Sequence, residues 1–237
     1  MTATPRQLSL SVRLDDYATF DNYFSVSGSS NEQAKLALQN LDSSSFVYLW
    51  GAEGTGRSHL LQALCRGRIG AWMYLPLKDL VDDNPASVLE GLESLNVLVL
   101  DDLDSVSGQP EWAEQLFYLY NRIQQQGNAL VVSANVSPTK IQTPLADLKS
   151  RLSAMHVYRL QQLSDKQLQD ALKFRAKRRG FELPQSVAEY LLRHFPRGIR
   201  HQIEFLDQLD TGSLEAKRKL SIPLVKELLI HSEEHHD

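Results

Sequence analysis

One cysteine in 237 residues leaves nothing with which to close an intrachain disulfide, so Cys65 excludes a secreted disulfide scaffold and points to a reducing compartment. Long apolar runs are missing as well. No stretch approaches the ~18 residues that a membrane span needs, and no membrane partner is expected. The N-terminal MTATPRQLSLSV has no basic region followed by a continuous apolar stretch, so it does not read as a secretory signal and a cytoplasmic protein is expected. Positive charge is not in excess: the net charge of -4 argues against a freestanding DNA binder. What is present is 42% hydrophobic residues with 12 Gly and 9 Pro, a composition that excludes disorder and collagen. The length fits one large domain with a small appendage, at the customary ~150 residues per domain.

Charge is unevenly placed. Residues 1–150 carry 10 Lys/Arg against 17 Asp/Glu, and residues 151–237 carry 15 against 12. A change of subdomain near residue 160 follows more readily from this than any ligand does. Residues 1–18 are polar with a short apolar alternation and are expected outside the core. Residues 31–41 have apolar positions at helical spacing behind a cap at Ser30 or Asn31. Then Phe46 to Trp50 reads as a strand, GAEGTGRS as a glycine loop and HLLQALCRG as a helix. Strands at 72–75, 97–100, 129–133 and 157–160 alternate with helices at 86–93 and 111–125, the latter stopped by Gly127. This is the grammar of a parallel sheet with helices on both faces. Beyond Leu160 only helices are read, over 164–178, 184–194, 197–209 and 222–230. Ser164 and Gln167 form a capping box at the first, and Pro184 and Pro223 sit at first-turn positions. The expected architecture is a P-loop α/β domain followed by an all-helical bundle.

The phosphate loop is carried by Gly51-Ala52-Glu53-Gly54-Thr55-Gly56-Arg57-Ser58. It matches G-x-x-x-x-G-K-[ST] except that Arg57 stands where lysine is expected. Gly54 and Gly56 let the chain curl so that successive amides from Gly54 through Thr55 to His59 face an anion at a helix N-terminus. Ser58 is a candidate magnesium ligand. A guanidinium is longer and planar where the lysine ammonium is a point charge. Binding of a di- or triphosphate should survive this exchange, whereas efficient hydrolysis depends on finer placement and is put in doubt.

Val97 to Leu100 ends in Asp101-Asp102. Behind a phosphate loop the first acid would hold the magnesium shell, and the second would stand where a water-polarising acid does. The bland alternative is a polar turn with Asp104 as a helix cap. Asn135, at the tip of the strand 129–133, is a candidate for orienting water near a γ-phosphate, or a turn residue before Ser137-Pro138. The run Lys173, Arg175, Lys177, Arg178, Arg179 reads first as a solvated helix face, with loose, salt-sensitive affinity for a phosphate backbone as the alternative.

From Phe20 to Lys226 the chain resembles the AAA+ domain of the bacterial replication initiator family, DnaA, and most closely the short relatives that switch the initiator off. The resemblance rests on the loop and acidic strand together with Thr19-Phe20-Asp21-Asn22-Tyr23-Phe24, Leu119-Tyr120-Asn121-Arg122, Ser133-Ala134-Asn135-Val136-Ser137-Pro138, Leu148-Lys149-Ser150-Arg151-Leu152 and Ile199-Arg200. It implies an AAA+ domain over 19–160 with a helical lid over 161–231 and a tail over 232–237. It further implies Arg151 as an arginine finger acting in a partner molecule and Arg200 as the lid's sensor arginine. Phe20 and Phe24 are either walls for the base or ordinary core aromatics. The DNA-reading helix-turn-helix domain of the initiator is not matched by any segment, so no sequence-specific DNA binding is expected.

Within residues 1–18, Gln7-Leu8-Ser9-Leu10-Ser11-Val12 is similar to the Q-L-x-L-x-[LF] peptides that bind the replicase sliding clamp. Leu10 and Val12 would enter an apolar groove while Gln7 hydrogen-bonds its rim. The resemblance thus implies a regulator that holds ADP, or another nucleoside diphosphate, with or without Mg2+. It would bind the clamp on DNA and stimulate ATP hydrolysis by the DnaA AAA+ domain, with little ATPase activity of its own. Self-association stays open, and an autonomous ATPase such as a helicase loader is the competing expectation.

Overall fold

The structure, a computed structural model, describes residues 14–67, 70–194, 206 and 220–233. Gln7, Leu8, Leu10, Val12, Arg200, the tail from 234 and nearly all of the helix expected over 197–209 lie outside the described residues. The described residues fall into two compact units, one within 14–23 and 27–161, the other within 24–26 and 162–233.

The first unit is built on a parallel sheet. Its strands are β1 (Phe46–Trp50), β2 (Trp72–Pro76), β3 (Val97–Asp101), β4 (Ala129–Ala134) and β5 (His156–Arg159), in the order β2-β3-β4-β1-β5. Every residue of β3 and β4 is buried, as the uninterrupted apolar runs require of strands covered on both faces. The two-residue alternation of side chains divides the core. Val47, Leu49, Val97, Val99 and Val131 pack with α1 (Ser30–Gln39) and α2 (Arg57–Arg66). On the other face Tyr48, Leu98, Leu100, Leu130 and Val132 pack with α3 (Pro85–Leu89), α4 (Pro110–Gln126) and α5 (Ala146–Ser153). Gly127 ends α4 in the left-handed region, at φ 69°. The edge strand β5 differs from the other strands in leaving Val157 exposed.

Three local expectations need correction. The cap of α1 is Ser29, whose hydroxyl accepts from the Glu32 amide at 3.2 Å. Asn31 is buried instead, and its amide side chain donates to the Gln161 carbonyl at 2.9 Å while accepting from the Gln161 amide at 2.8 Å. A continuous helix over 86–93 does not form, because Gly91 turns at φ 76° and divides α3 from a 3₁₀ turn at Leu92–Ser94. Residues 14–18 are not wholly outside the core: Ala18 is buried and Leu14 packs against the α1/α2 side. The helix α5 is not predicted by the strand–helix alternation of the sequence.

The second unit contains α6 (Asp165–Arg178), α7 (Gln185–His194) and α8 (Ile222–Glu233). The capping box is present, with the Ser164 amide donating to Gln167 Oε1 at 2.9 Å. Leu172, Ala176, Val187, Leu191, Leu206 and Leu224 form its core. Phe24 lies here, its ring 5.8 Å from that of Phe174. The basic run on α6 is no uniform solvated face: Lys177 and Arg178 are exposed, but Arg175 is buried. No helix among the described residues is long and apolar enough to cross a membrane.

Candidate phosphate-binding site

In this strand order β1 lies between β4 and β5, and the chain leaves it for α2 and β2 on the far side of β3. Ligands of open α/β sheets gather beyond the carboxyl ends of strands at such a reversal. The loop 51–56, Asp101-Asp102 and Asn135 all stand there, at the ends of β1, β3 and β4.

The glycine loop is shaped for an anion. The amides of Gly54, Gly56, Arg57 and Ser58 take no acceptor among the described residues, and α2 begins at Arg57. Gly54 has φ 80°, and a Cβ there would meet open space. At Gly56, with φ 88°, a Cβ would fall 2.7 Å from Tyr23 Cε2, so only glycine fits on two counts. Tyr23 supports the loop from behind, its hydroxyl donating to the Thr55 carbonyl at 3.2 Å, and burial raises its pKa. The Thr55 hydroxyl turns back to the Ala52 carbonyl at 2.8 Å. His59 Nε2 lies 2.9 Å from the Thr19 carbonyl oxygen, and Phe20 packs on the α1/α2 side of the core.

Arg57 does not reach outward. Its side chain is buried, and one terminal nitrogen donates to the carbonyls of Gly51 and, at 2.9 Å, Ala134, and to Asn135 Oδ1 at 2.8 Å. The other donates to Asp102 Oδ1 at 2.8 Å. Asn135 is further held by Asp104, which accepts from its backbone and side-chain nitrogens, both at 3.0 Å. Asp104 is therefore a brace for the β4 tip, which displaces the alternative reading of it as a helix cap. Asp102 has φ 53°, alone among the described non-glycine residues in the left-handed region. Burial and the neighbouring Asp101 charge raise its pKa, against the opposing pull of Arg57.

Asp101 is 2% exposed. One carboxylate oxygen accepts from the Tyr74 hydroxyl at 2.6 Å; the other accepts from the Ser133 hydroxyl and, at 3.2 Å, from the Asp102 amide. Tyr74 is kept protonated by burial and by the Asp101 charge, both of which raise its pKa. Three of these residues have supporting roles that the sequence does not assign. Ser133 was signalled by a hydroxyl inside the apolar run ALVVSA, and Asp104 by a third acid in DDLD. Tyr74 had no local signal, since only the β2–β3 pairing brings it to Asp101.

These donors do not suit Mg2+. Both oxygens of Asp101 are engaged, Asp102 holds Arg57, and of the expected ligands only the Ser58 hydroxyl makes no hydrogen bond among the described residues. Among the described residues no group of three His, Cys, Asp or Glu side chains could hold a metal ion.

Arg151 lies apart from this cluster. Leu148 and Leu152 turn into the core from α5, leaving Arg151 exposed with its guanidinium carbon 5.8 Å from the centre of the Tyr120 ring. It has no carboxylate within ion-pair distance among the described residues.

A parallel sheet of this order, a glycine loop after β1, paired acids after β3 and a helical lid define an AAA+ nucleotide-binding protein. Residues 72–157 match the bacterial DnaA ATPase domain and residues 165–229 match the lid domain of Hda. These two matches, over successive parts of the chain, support an Hda-type, DnaA-related AAA+ regulator. Among solved structures it is similar to domain III of the Thermotoga maritima initiation protein DnaA, at 20% identity and TM-score 0.74, covering 92% of this chain and 98% of that one. The AMPPCP-bound DnaA of Aquifex aeolicus matches at 24% identity and TM-score 0.67, over 86% of this chain and 69% of that one. The RuvB Holliday junction branch migration motor of Thermotoga maritima shares the fold at 17% identity and TM-score 0.61, over 89% of this chain and 72% of that one.

Proposed function

We propose that this chain regulates replication initiation by acting on the nucleotide of another molecule. Its own glycine loop holds a nucleoside diphosphate, ADP by family resemblance. The peptide Gln7–Val12 ties it to the sliding clamp on DNA, and Arg151 enters the ATP site of the initiator DnaA, where its charge stabilises the transferring phosphoryl group.

The observation that carries this reading is the contrast between two arginines. Arg57 is buried and spent on Asp102 and Asn135, so the acid that would polarise water in the chain's own pocket is paired. Arg151 is exposed, and α5 is fixed by Leu148 and Leu152 beneath it. An arginine supplied from another molecule is worth ~10³–10⁵ in rate.

The test is hydrolysis of DnaA-bound ATP in the presence of DNA-loaded clamp, comparing the parent with Arg151→Ala. Stimulation by the parent and its loss in the variant, with ADP binding retained, is expected. Equal stimulation by both would remove Arg151 from the reaction. Substantial steady-state turnover by the isolated protein, abolished in Asp101→Ala, would favour an autonomous motor instead.

A further inference from the structure

A nucleotide in a P-loop ordinarily enters with Mg2+, which bridges phosphate oxygens and neutralises their charge. In this pocket the protein oxygens that would support such an ion are already committed. Asp101 accepts from Tyr74, Ser133 and the Asp102 amide, and it is 2% exposed. Asp102 accepts from Arg57.

What these oxygens surround instead is a guanidinium. Arg57 donates to the carbonyl oxygens of Gly51 and Ala134, to the side-chain oxygen of Asn135 and to the carboxylate of Asp102. Three carbonyl-type oxygens and a carboxylate are the kind of set that a hard cation attracts. Here a covalently attached charged group collects them, carried by the first residue of α2, next in sequence to Gly56 and Ser58, whose amides take no acceptor among the described residues. Lysine could not do the same, because its ammonium is a compact charge on a stem without the planar fork that reaches Asp102 and Asn135 together. A divalent ion placed next to this guanidinium would meet like-charge repulsion at short range.

We propose that the Arg57 guanidinium is the resident counter-ion of this pocket, taking the part of Mg2+, so that the loop binds a nucleoside diphosphate without metal. The inference rests on the reading of the loop as a diphosphate site. It makes Arg57 the residue that sets metal dependence, and it favours the diphosphate because a single fixed charge replaces a divalent one.

The test is calorimetric titration of the full chain with ADP, in EDTA and in Mg2+, with Mn2+ electron paramagnetic resonance on the ADP mixture. The parent should show dissociation constants within about threefold in the two buffers and no Mn2+ immobilised by the protein. Arg57→Lys should gain metal dependence of about tenfold or more and immobilise Mn2+ with ADP. Asp102→Asn, which removes the negative charge opposing the phosphates, should bind ADP more tightly in EDTA, and it carries the attribution if Arg57→Lys fails to fold. Tenfold tighter binding of ADP to the parent in Mg2+, immobilised Mn2+ on the parent, or an Arg57→Lys protein as indifferent to metal as the parent overturns the proposal while leaving the diphosphate site standing. Absence of ADP binding in both buffers overturns both.

Discussion

Arg57 and Asp102 meet at 2.8 Å across the mouth of the sheet, joining the first turn of the helix after the glycine loop to the end of the acidic strand 45 positions later. The guanidinium side is 8% exposed and the carboxylate 25%. Truncating one partner of such a pair leaves the other partly desolvated and unpaired. Arg57→Ala is therefore expected to destabilise the first unit by about 2–3 kcal/mol, measured by urea unfolding.

The same pair gives a pH dependence of defined sign. The folded-state pKa of Asp102 is raised, so the folded chain holds a proton there over a range where the unfolded chain has released it. Its contribution to stability is full below the unfolded value and falls as pH rises through the folded one. Asparagine does not titrate, still accepts from Arg57 and tolerates the left-handed backbone at φ 53°. Asp102→Asn should thus melt no lower than the parent at pH 7, with any advantage disappearing in melts below about pH 4, near the unfolded carboxylate value. A variant that is less stable at pH 7 and no worse at pH 4 would show the opposite linkage.

Gly56 and Gly54 separate two costs of a side chain. Both have positive φ, but only at Gly56 would a Cβ strike the Tyr23 ring. Gly54→Ala should cost the backbone strain alone, about 1–2 kcal/mol. Gly56→Ala should cost more and should also weaken binding of ADP, because Tyr23 must shift away from Thr55. Chemical denaturation and nucleotide titration of the two variants, side by side, check this ordering.

Asn31 supplies a test away from the pocket. Its side chain closes two hydrogen bonds with the backbone of Gln161, just past β5, and it is 4% exposed. Asn31→Ala leaves a donor and an acceptor of Gln161 without these partners, and a loss of about 2–3 kcal/mol is expected in equilibrium unfolding. Ser30→Ala next to it should be nearly silent, since Ser29 holds the cap.

Much of this architecture is legible in one dimension because the pattern is carried by strong local signals. Four-residue apolar runs, a glycine loop between strand and helix, and a Ser-x-x-Gln box each have a near-neighbour cause. Serines at 27, 29 and 30 all stand close before α1, and propensity does not choose among them or Asn31 as its cap. The long-range partner Gln161 does, by drawing Asn31 inward. The phosphate loop, the acidic pair and Asn135 were each readable, yet what Arg57 does was not. Its side chain could point to a phosphate or to protein oxygens, and only the juxtaposition of three strand ends decides between them. Tyr74 is hidden for the same reason: its role exists only in the pairing of Tyr74 with Val99, two residues before Asp101 along β3.

The position of β1 has a consequence for biosynthesis. It is flanked by β4 and β5, both made long after it, so during translation one hydrogen-bonding rim has no lasting occupant until residue 134 has been made and the other until residue 159 has. Loop-closure entropy makes such distant pairings slow to form. The nascent glycine turn therefore waits, half-made, on a strand whose open rim invites foreign β-partners, and a pause in elongation before His156 would prolong the exposure of the rim that β5 covers.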